Sequence, residues 1–190
     1  MPRLTVFDQL SLDGFFVDAG GDMGWAHRDD AEWRAFMEEN SGRGGALLFG
    51  RVTYEMMARF WPTPAGRAAN PAVSERMTRM PKYVFSRTLA APPWANTTVL
   101  TGDLAAEVAR LKAAPGPDIT VLGSGTIVAP LAGAGLIDEY QIVVNPIVLG
   151  GGRSIFDGVG RRVALTRTRT RGFANGNVVS WYEPVAPGRR

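Results

Sequence analysis

From Leu4 to Leu10 the chain alternates like a β-strand, and Ser11-Leu-Asp-Gly14 breaks the pattern. Gly20, Gly21 and Gly24 make the next stretch a loop that ends near Trp25. Asp29 and Asp30 then offer N-caps, with Glu32 three residues after Asp29 as in a capping box. Ala31, Trp33, Phe36 and Met37 repeat at helical spacing to about Ser41-Gly42. A short buried strand over 46–49 leads into a brief helix over 52–60, stopped by Trp61-Pro62. The pattern then predicts a loop over 64–70, a helix over 71–80 stopped by Pro81, and strands over 82–85 and 97–100 around Pro92-Pro93. A helix over 104–113, a strand over 119–122 and a helix over 126–134, closed by Gly135, complete this part.

After Gly135 the period changes. Strands are predicted over 139–144, 163–173 and 177–182 with no helix between them, as an antiparallel meander. Ala174-Asn-Gly-Asn177 reads as a type I′ hairpin turn, because Asn-Gly accepts two positive φ values. Strand–helix alternation followed by strands alone predicts an α/β sandwich with a mixed sheet. Neither a repeat nor a linker divides the chain, so residues 1–190 form a single domain.

Composition narrows this picture. At 190 residues and 45% hydrophobic, the chain can fill one core and is short for two. The absence of cysteine excludes thiolate catalysis, disulfides and cysteine–zinc sites, and it fits a reducing compartment. A formal charge of +3, carried mostly by arginine with only Lys82 and Lys112 as lysines, does not form a nucleic-acid-binding face. The Thr166–Arg171 alternation reads as the solvated face of a strand. No apolar run approaches the length of a membrane span, so the expectation is a cytoplasmic protein that binds neither membrane nor nucleic acid.

The chemistry gathers at strand ends. Ile119–Val128 runs as a strand, breaks at Gly123-Ser124-Gly125 and continues as a helix. Unpaired N–H groups and the positive end of the helix dipole suit a phosphate there. By itself the run also reads as a tight turn that starts a helix. Gly50-Arg51-x-Thr53 follows the strand over 46–49, and Ser86-Arg87 follows Tyr83–Phe85. Arginine binds phosphate bidentately, so three such strand ends suggest a ligand with several phosphates, such as a dinucleotide. A Rossmann motif would need glycine where Val128 stands, and the lysine of a P-loop is absent.

Ser11-Leu-Asp-Gly14, Phe49-Gly-Arg-x-Thr-Tyr54, Phe85-Ser-Arg-Thr88, Leu122-Gly-Ser-Gly-Thr126 and Pro146-x-x-Leu-Gly-Gly151 together resemble the dihydrofolate reductase fold family over nearly the whole chain. The similarity extends to its riboflavin-biosynthesis branch (RibD C-terminal-like). Tyr54-Glu55 and Trp61-Pro62 look like the uncharacterised reductase-like relatives in particular. The resemblance implies a three-layer α/β sandwich whose mixed, mostly parallel central sheet ends in an antiparallel hairpin. It also implies NADPH. Gly50, Arg51, Thr53, Ser86 and Arg87 would hold the cofactor phosphates, with an arginine near the 2′-phosphate. Gly123, Ser124, Gly125 and Thr126 would cradle the diphosphate, and Gln9 with Leu10 would border the nicotinamide.

In folate reductases a helical carboxylate five residues after a loop tryptophan assists protonation of the substrate. Here Asp30 holds that spacing from Trp25, and it either faces the substrate as the catalytic acid or caps the helix. Trp25 and Trp61 are candidate substrate-pocket walls. The implied activity is hydride transfer to an imine-like carbon of a small heterocycle or sugar imine, as in 5-amino-6-(5-phosphoribosylamino)uracil reductase. Phe15-Phe16 stand where that group usually continues with a lysine, and the zinc deaminase half is missing. The alternatives are a folate reductase and a non-catalytic NADP-binding protein. Gly150–Arg153 reads either as a further anion site or as a turn. The lone His27 gives no metal site. A homodimer is expected, with a small-molecule substrate as the other partner.

Overall fold

The computed structural model describes residues 1–27, 30–41, 45–123 and 125–185. Its eight strands are β1 (Leu4–Ser11), β2 (Ala46–Gly50), β3 (Lys82–Phe85), β4 (Thr97–Leu100), β5 (Ile119–Leu122), β6 (Glu139–Asn145), β7 (Leu165–Gly172) and β8 (Val178–Pro184). They form one sheet in the order β4-β3-β2-β5-β1-β6-β8-β7. The strands from β4 across to β6 run parallel, and β8 and β7 close the sheet as an antiparallel pair. This is the three-layer sandwich with a mixed, mostly parallel sheet and a terminal hairpin.

The chain moves one way across the sheet from β1 to β4 and the other way from β5 to β6. Right-handed crossovers therefore place the two sets of helices on opposite faces. On one face, α1 (Ala31–Ser41) sets Trp33 and Phe36 against Phe7, Val143 and Trp181. Beside it, α2 (Arg51–Phe60) and α4 (Pro71–Arg79) pack Tyr54, Val73 and Met77 against Leu47, Phe49 and Val84. On the other face, α5 (Leu104–Ala113) and α6 (Gly125–Ala134) bury Leu104, Val108, Ile127 and Leu131 against Leu4, Val6, Leu48 and Val121. Among the described residues no helix is long and apolar enough to cross a membrane.

Three sequence expectations need correction. Residues 64–70 are not a loop: α3 (Pro64–Ala69) begins with proline at its first position, and the Thr63 hydroxyl accepts the Gly66 N–H at 3.3 Å. The last three strands are not a meander, because β8 lies between β6 and β7 and leaves β7 as the edge. The hairpin turn is not type I′. Asn96 is the one described non-glycine residue with positive φ, so Asn175 does not supply the first of the two angles. Instead Gly176, at φ 89°, donates to Phe173 O, and Phe173 N–H donates to Asn177 O. That pattern is a type I turn closed by a glycine bulge. Edge strand β7 is exposed throughout, with two of its arginines over aromatic rings: Arg169 lies 3.6 Å from the Trp181 ring centre and Arg171 4.6 Å from that of Phe173.

Candidate active site

In an open α/β sheet, ligands bind beyond the carboxyl ends of the strands where neighbouring connections diverge. Here β2 leaves into α2 on one face, while β5 beside it leaves into α6 on the other. Gly50 ends β2 in extended backbone (φ −75°, ψ 158°) and brings no side chain to cap the first N–H groups of α2. Arg51 and Thr53 occupy that first turn. Gly123 ends β5 at φ +61°, and a Cβ there would lie 3.3 Å from Thr53 Cγ2 and 3.4 Å from its Oγ1. The two strand ends therefore touch at Gly123 and Thr53, with Gly50 and Arg51 beside Thr53 at the start of α2. Gly125 and Thr126 open α6 immediately after, whereas Ser124 lies outside the described residues.

Gly125 has a second use. A Cβ there would stand 2.9 Å from Ser154 O and 3.3 Å from Ile155 Cα, so its bare backbone seats α6 on that loop. Ser86 is buried, and its Oγ accepts the N–H groups of Thr88 and Leu89 at 3.2 and 3.0 Å. It shapes the turn after β3 and leaves the exposed Arg87 as the outward group. Arg51 is exposed and pairs with Glu55 at 3.1 Å, a contact weak enough for a phosphate to displace.

The first turn of α1 lies on the same rim. Asp30 is its N-cap: Oδ1 accepts the Trp33 N–H at 2.7 Å, and its carbonyl accepts Arg34 N–H. The other carboxyl oxygen, Oδ2, is buried without a hydrogen-bond partner. Asp29 lies outside the described residues. The capping box expected between Asp29 and Glu32 therefore lies partly outside them, and Glu32 reaches Arg171 at 3.2 Å and the Ala174 N–H at 3.3 Å. Gln9 is half-buried, its Oε1 3.5 Å from Asn145 Nδ2. Trp25 and Trp61 are also half-buried, and their indole N–H groups go to Asp22 O and Met57 Sδ. Trp61 sits ten residues after Arg51, about 15 Å along α2. Trp33, Trp94 and Trp181 are core.

Several chemically important residues were missed by the sequence reading. Asp8, in central strand β1, is buried, and burial pushes its carboxyl up to about 7. The alternation Leu4, Val6, Asp8, Leu10 was the available signal, because it puts a carboxyl into an apolar register. Asp13 accepts the N–H groups of Leu149 and Gly150; hydrogen bonds from Ser11 and these groups hold it below the usual carboxylate range. The Gly150 N–H is thereby committed, and Gly152 packs on Val17, where a Cβ would meet the carbonyl oxygen at 2.1 Å. Gly150–Arg153 is accordingly a structural turn. Lys82 is buried and ends α4, donating to the carbonyls of Met77, Thr78 and Met80.

Known proteins share this architecture. "Uncharacterized protein YyaP" of Bacillus subtilis (strain 168) is 29% identical over 178 residues, covering 93% of this chain and 92% of that protein. A putative riboflavin biosynthesis protein from Shewanella sp. PV-4 superposes with a TM-score of 0.73 at 22% identity, over 96% of this chain and 99% of that one. A diaminohydroxyphosphoribosylaminopyrimidine deaminase/5-amino-6-(5-phosphoribosylamino)uracil reductase from Thermotoga maritima superposes with a TM-score of 0.68 at 17% identity, over 97% of this chain and 57% of that one. Residues 2–179 match the RibD C-terminal domain, and the chain belongs to that family.

Proposed function

We propose that the chain is an NADPH-dependent reductase acting on a small heterocyclic or sugar-imine substrate, similar to 5-amino-6-(5-phosphoribosylamino)uracil reductase. The observation that carries this reading is the contact between the Gly123 turn and Thr53, which joins the uncapped start of α2 to the start of α6. On this reading the two helix starts, with Arg51, would hold one diphosphate between them. Bound there, the cofactor supplies a hydride to an imine-like carbon. The chain's own residues hold, orient and exclude water. Gly50, Thr53, Gly123, Ser124, Gly125 and Thr126 take the phosphates, with Arg51 and Arg87 at the 2′-phosphate and Ser86 setting the turn that presents Arg87. Gln9 borders the nicotinamide, Asp30 orients or protonates the substrate, and Trp25 and Trp61 wall it. A homodimer in the cytoplasm belongs to the same reading, checked by sedimentation and fractionation.

The test is cofactor binding followed by a substrate panel read through NADPH absorbance. NADPH should bind at least ~10-fold tighter than NADH, since charge-assisted arginine contacts contribute roughly 1.5–3 kcal/mol each before screening. Arg51→Ala or Arg87→Ala should shrink that preference. Equal affinity for the two cofactors would remove the 2′-phosphate assignment. The unpartnered Asp30 Oδ2 at a helix start also suits a folate reductase, which dihydrofolate turnover would reveal. Cofactor binding with no turnover on any heterocycle would indicate a non-catalytic binder.

A further inference from the structure

Asp8 is a buried carboxyl in the centre of the sheet, and its place in the strand ladder is specific. It stands between Val6 and Leu10 in β1 and so shares their face, the one covered by α6. The Ile119 N–H donates to Arg3 O, so residues 3, 5 and 7 turn their backbone groups to β5. That ladder ends with Phe7 opposite Leu122, while β1 runs on beside β6 to Ser11. Gln9 is the next residue turned to β5 and finds no strand there, because Gly123 leaves at φ +61° toward α6. Asp8 Oδ1 takes the Gln9 N–H at 3.0 Å and fills the vacated rung, whereas Oδ2 is buried without a hydrogen-bond partner. The carboxyl therefore lies where β5 gives way to the turn that starts α6.

Little around it offsets a charge. The α6 segment Gly125–Ala134 has no charged residue. Tyr140, two residues before the β6 partner Ile142, stays neutral, since burial pushes its hydroxyl up to about 12. On the loop packed against α6, Arg153 lies 5.5 Å from the Phe16 ring centre, and Asp157 accepts the Ser154 N–H at 3.1 Å. Beside the 3₁₀ turn Gly24–Ala26, which packs on β1, Asp22 and His27 bond within their own turn. Asp30 opens α1 on the opposite face of the sheet. A carboxyl with one hydrogen bond and no paired cation is easier to bury protonated than charged. A diphosphate at the same strand end would meet its negative charge across protein, where charges are weakly screened. We infer that phosphate binding at the start of α6 is coupled to a proton on Asp8. One proton passes from solvent to Oδ2 as the ligand enters and returns as it leaves, and no electron moves. The inference rests on the reductase reading for the place of the diphosphate. Burial sets the carboxyl at about 7, so near neutral pH about half of the free chains already carry the proton. Affinity should then be full in acid and fall above pH 7, in step with the protonated fraction.

The test uses the full chain and its Asp8→Asn variant, which keeps the shape and carries no charge. Titration calorimetry at pH 6, 7 and 8, in buffers of different protonation heat, counts the protons taken up with each ligand. The ligands are NADPH, 2′-phospho-ADP-ribose (the diphosphate without the nicotinamide) and inorganic diphosphate. At pH 8 the wild type should take up close to one proton more than the variant with all three. Its affinity should fall about 10-fold from pH 6 to 8 relative to the variant. Carbon-detected NMR of the wild-type Asp8 carboxyl gives a readout that needs no variant: its midpoint should rise by at least ~1 pH unit when ligand is bound. Equal proton uptake by the two proteins overturns the inference, as does a midpoint that the ligand leaves unmoved. Extra uptake with NADPH but none with 2′-phospho-ADP-ribose also overturns it, because the coupling would then belong to the nicotinamide end. A wild type that binds inorganic diphosphate with the extra proton but does not bind NADPH sinks the reductase reading and leaves the coupling standing.

Discussion

Asp13 accepts the backbone N–H of Gly150 at 2.8 Å, and that of Leu149 at 3.1 Å, tying the turn after β1 to the loop after β6. The Ser11–Gly14 and Pro146–Gly151 motifs are thus two halves of one clasp. Asp13→Ala should lower the melting temperature at neutral pH by a few degrees without changing cofactor affinity. The carboxyl is held below its ordinary value, so its contribution is complete above that value and disappears as pH falls through the lower one. The gap between wild type and variant should be constant down to about pH 4 and close below it.

Gly125→Val should destabilise the fold as well as the cofactor site. The added Cβ would face Ser154 O at 2.9 Å, a backbone atom that cannot swing aside. Overpacking of this kind costs about 1–3 kcal/mol, measurable by urea melts. Unchanged stability would mean that α6 and the Ser154–Ile155 loop are further apart than described.

Asp8 gives the central strand a pH response. Its carboxyl is pushed up to about 7, so between the ordinary value near 4 and about 7 the folded chain binds the proton that the unfolded chain has lost. Stability from this group is therefore greatest in acid and falls as pH rises to 7. Asp8→Asn should remove this slope. The variant should gain on the wild type by a few kcal/mol between about pH 4 and 8. Parallel pH profiles for the two proteins would mean that the carboxyl is solvated.

Lys82 closes α4 with three carbonyl bonds of 2.7, 3.0 and 2.7 Å, its ammonium 4.6 Å from the centre of the Trp94 ring. Lys82→Met should cost roughly 2–4 kcal/mol at pH 7, because buried helix-end carbonyls lose a charged donor. Burial lowers the ammonium to about 8, so between there and its ordinary value near 10.5 the unfolded chain carries more protons. Relative to the methionine variant, the wild type should gain stability across that window and show no slope below it. Chemical denaturation at pH 7, 8.5 and 10 would settle the sign.

The parts of this fold that were legible in the sequence are those decided by near neighbours. The two-residue period of Leu4–Leu10, the helical spacing through Trp33 and Phe36, and the Gly-Arg and Gly-Ser-Gly strand ends need no knowledge of distant partners. Residues 64–70 failed because Gly66 looks like a loop glycine. In the fold it lets α3 sit against Phe60 O and Trp61 O, where a Cβ would be 2.4 and 2.7 Å away. Strand order in the hairpin was hidden because β8 pairs with β6 across the whole of β7. The same non-local register sets Asn145 beside Asn177, and no spacing along the chain announces it. The part Ser86 plays in its own turn needs only near neighbours, because its hydroxyl accepts N–H groups two and three residues on.

Asp30 is where capping and catalysis separate most cleanly. Asparagine caps as well as aspartate, so Asp30→Asn keeps the bond to the Trp33 N–H and should change stability by less than about 0.5 kcal/mol. What it loses is an acidic oxygen at the buried Oδ2 position, which has no partner in the folded chain. If that oxygen meets the substrate, turnover should fall by about 10²-fold or more while NADPH affinity stays the same. Lowering the pH should not restore the rate, because an amide has no proton to give. Alanine would confuse the two roles by removing the cap and the acid together. A normal rate for Asp30→Asn with any accepted substrate would leave Asp30 as a cap alone, and the proton would then have to come from water.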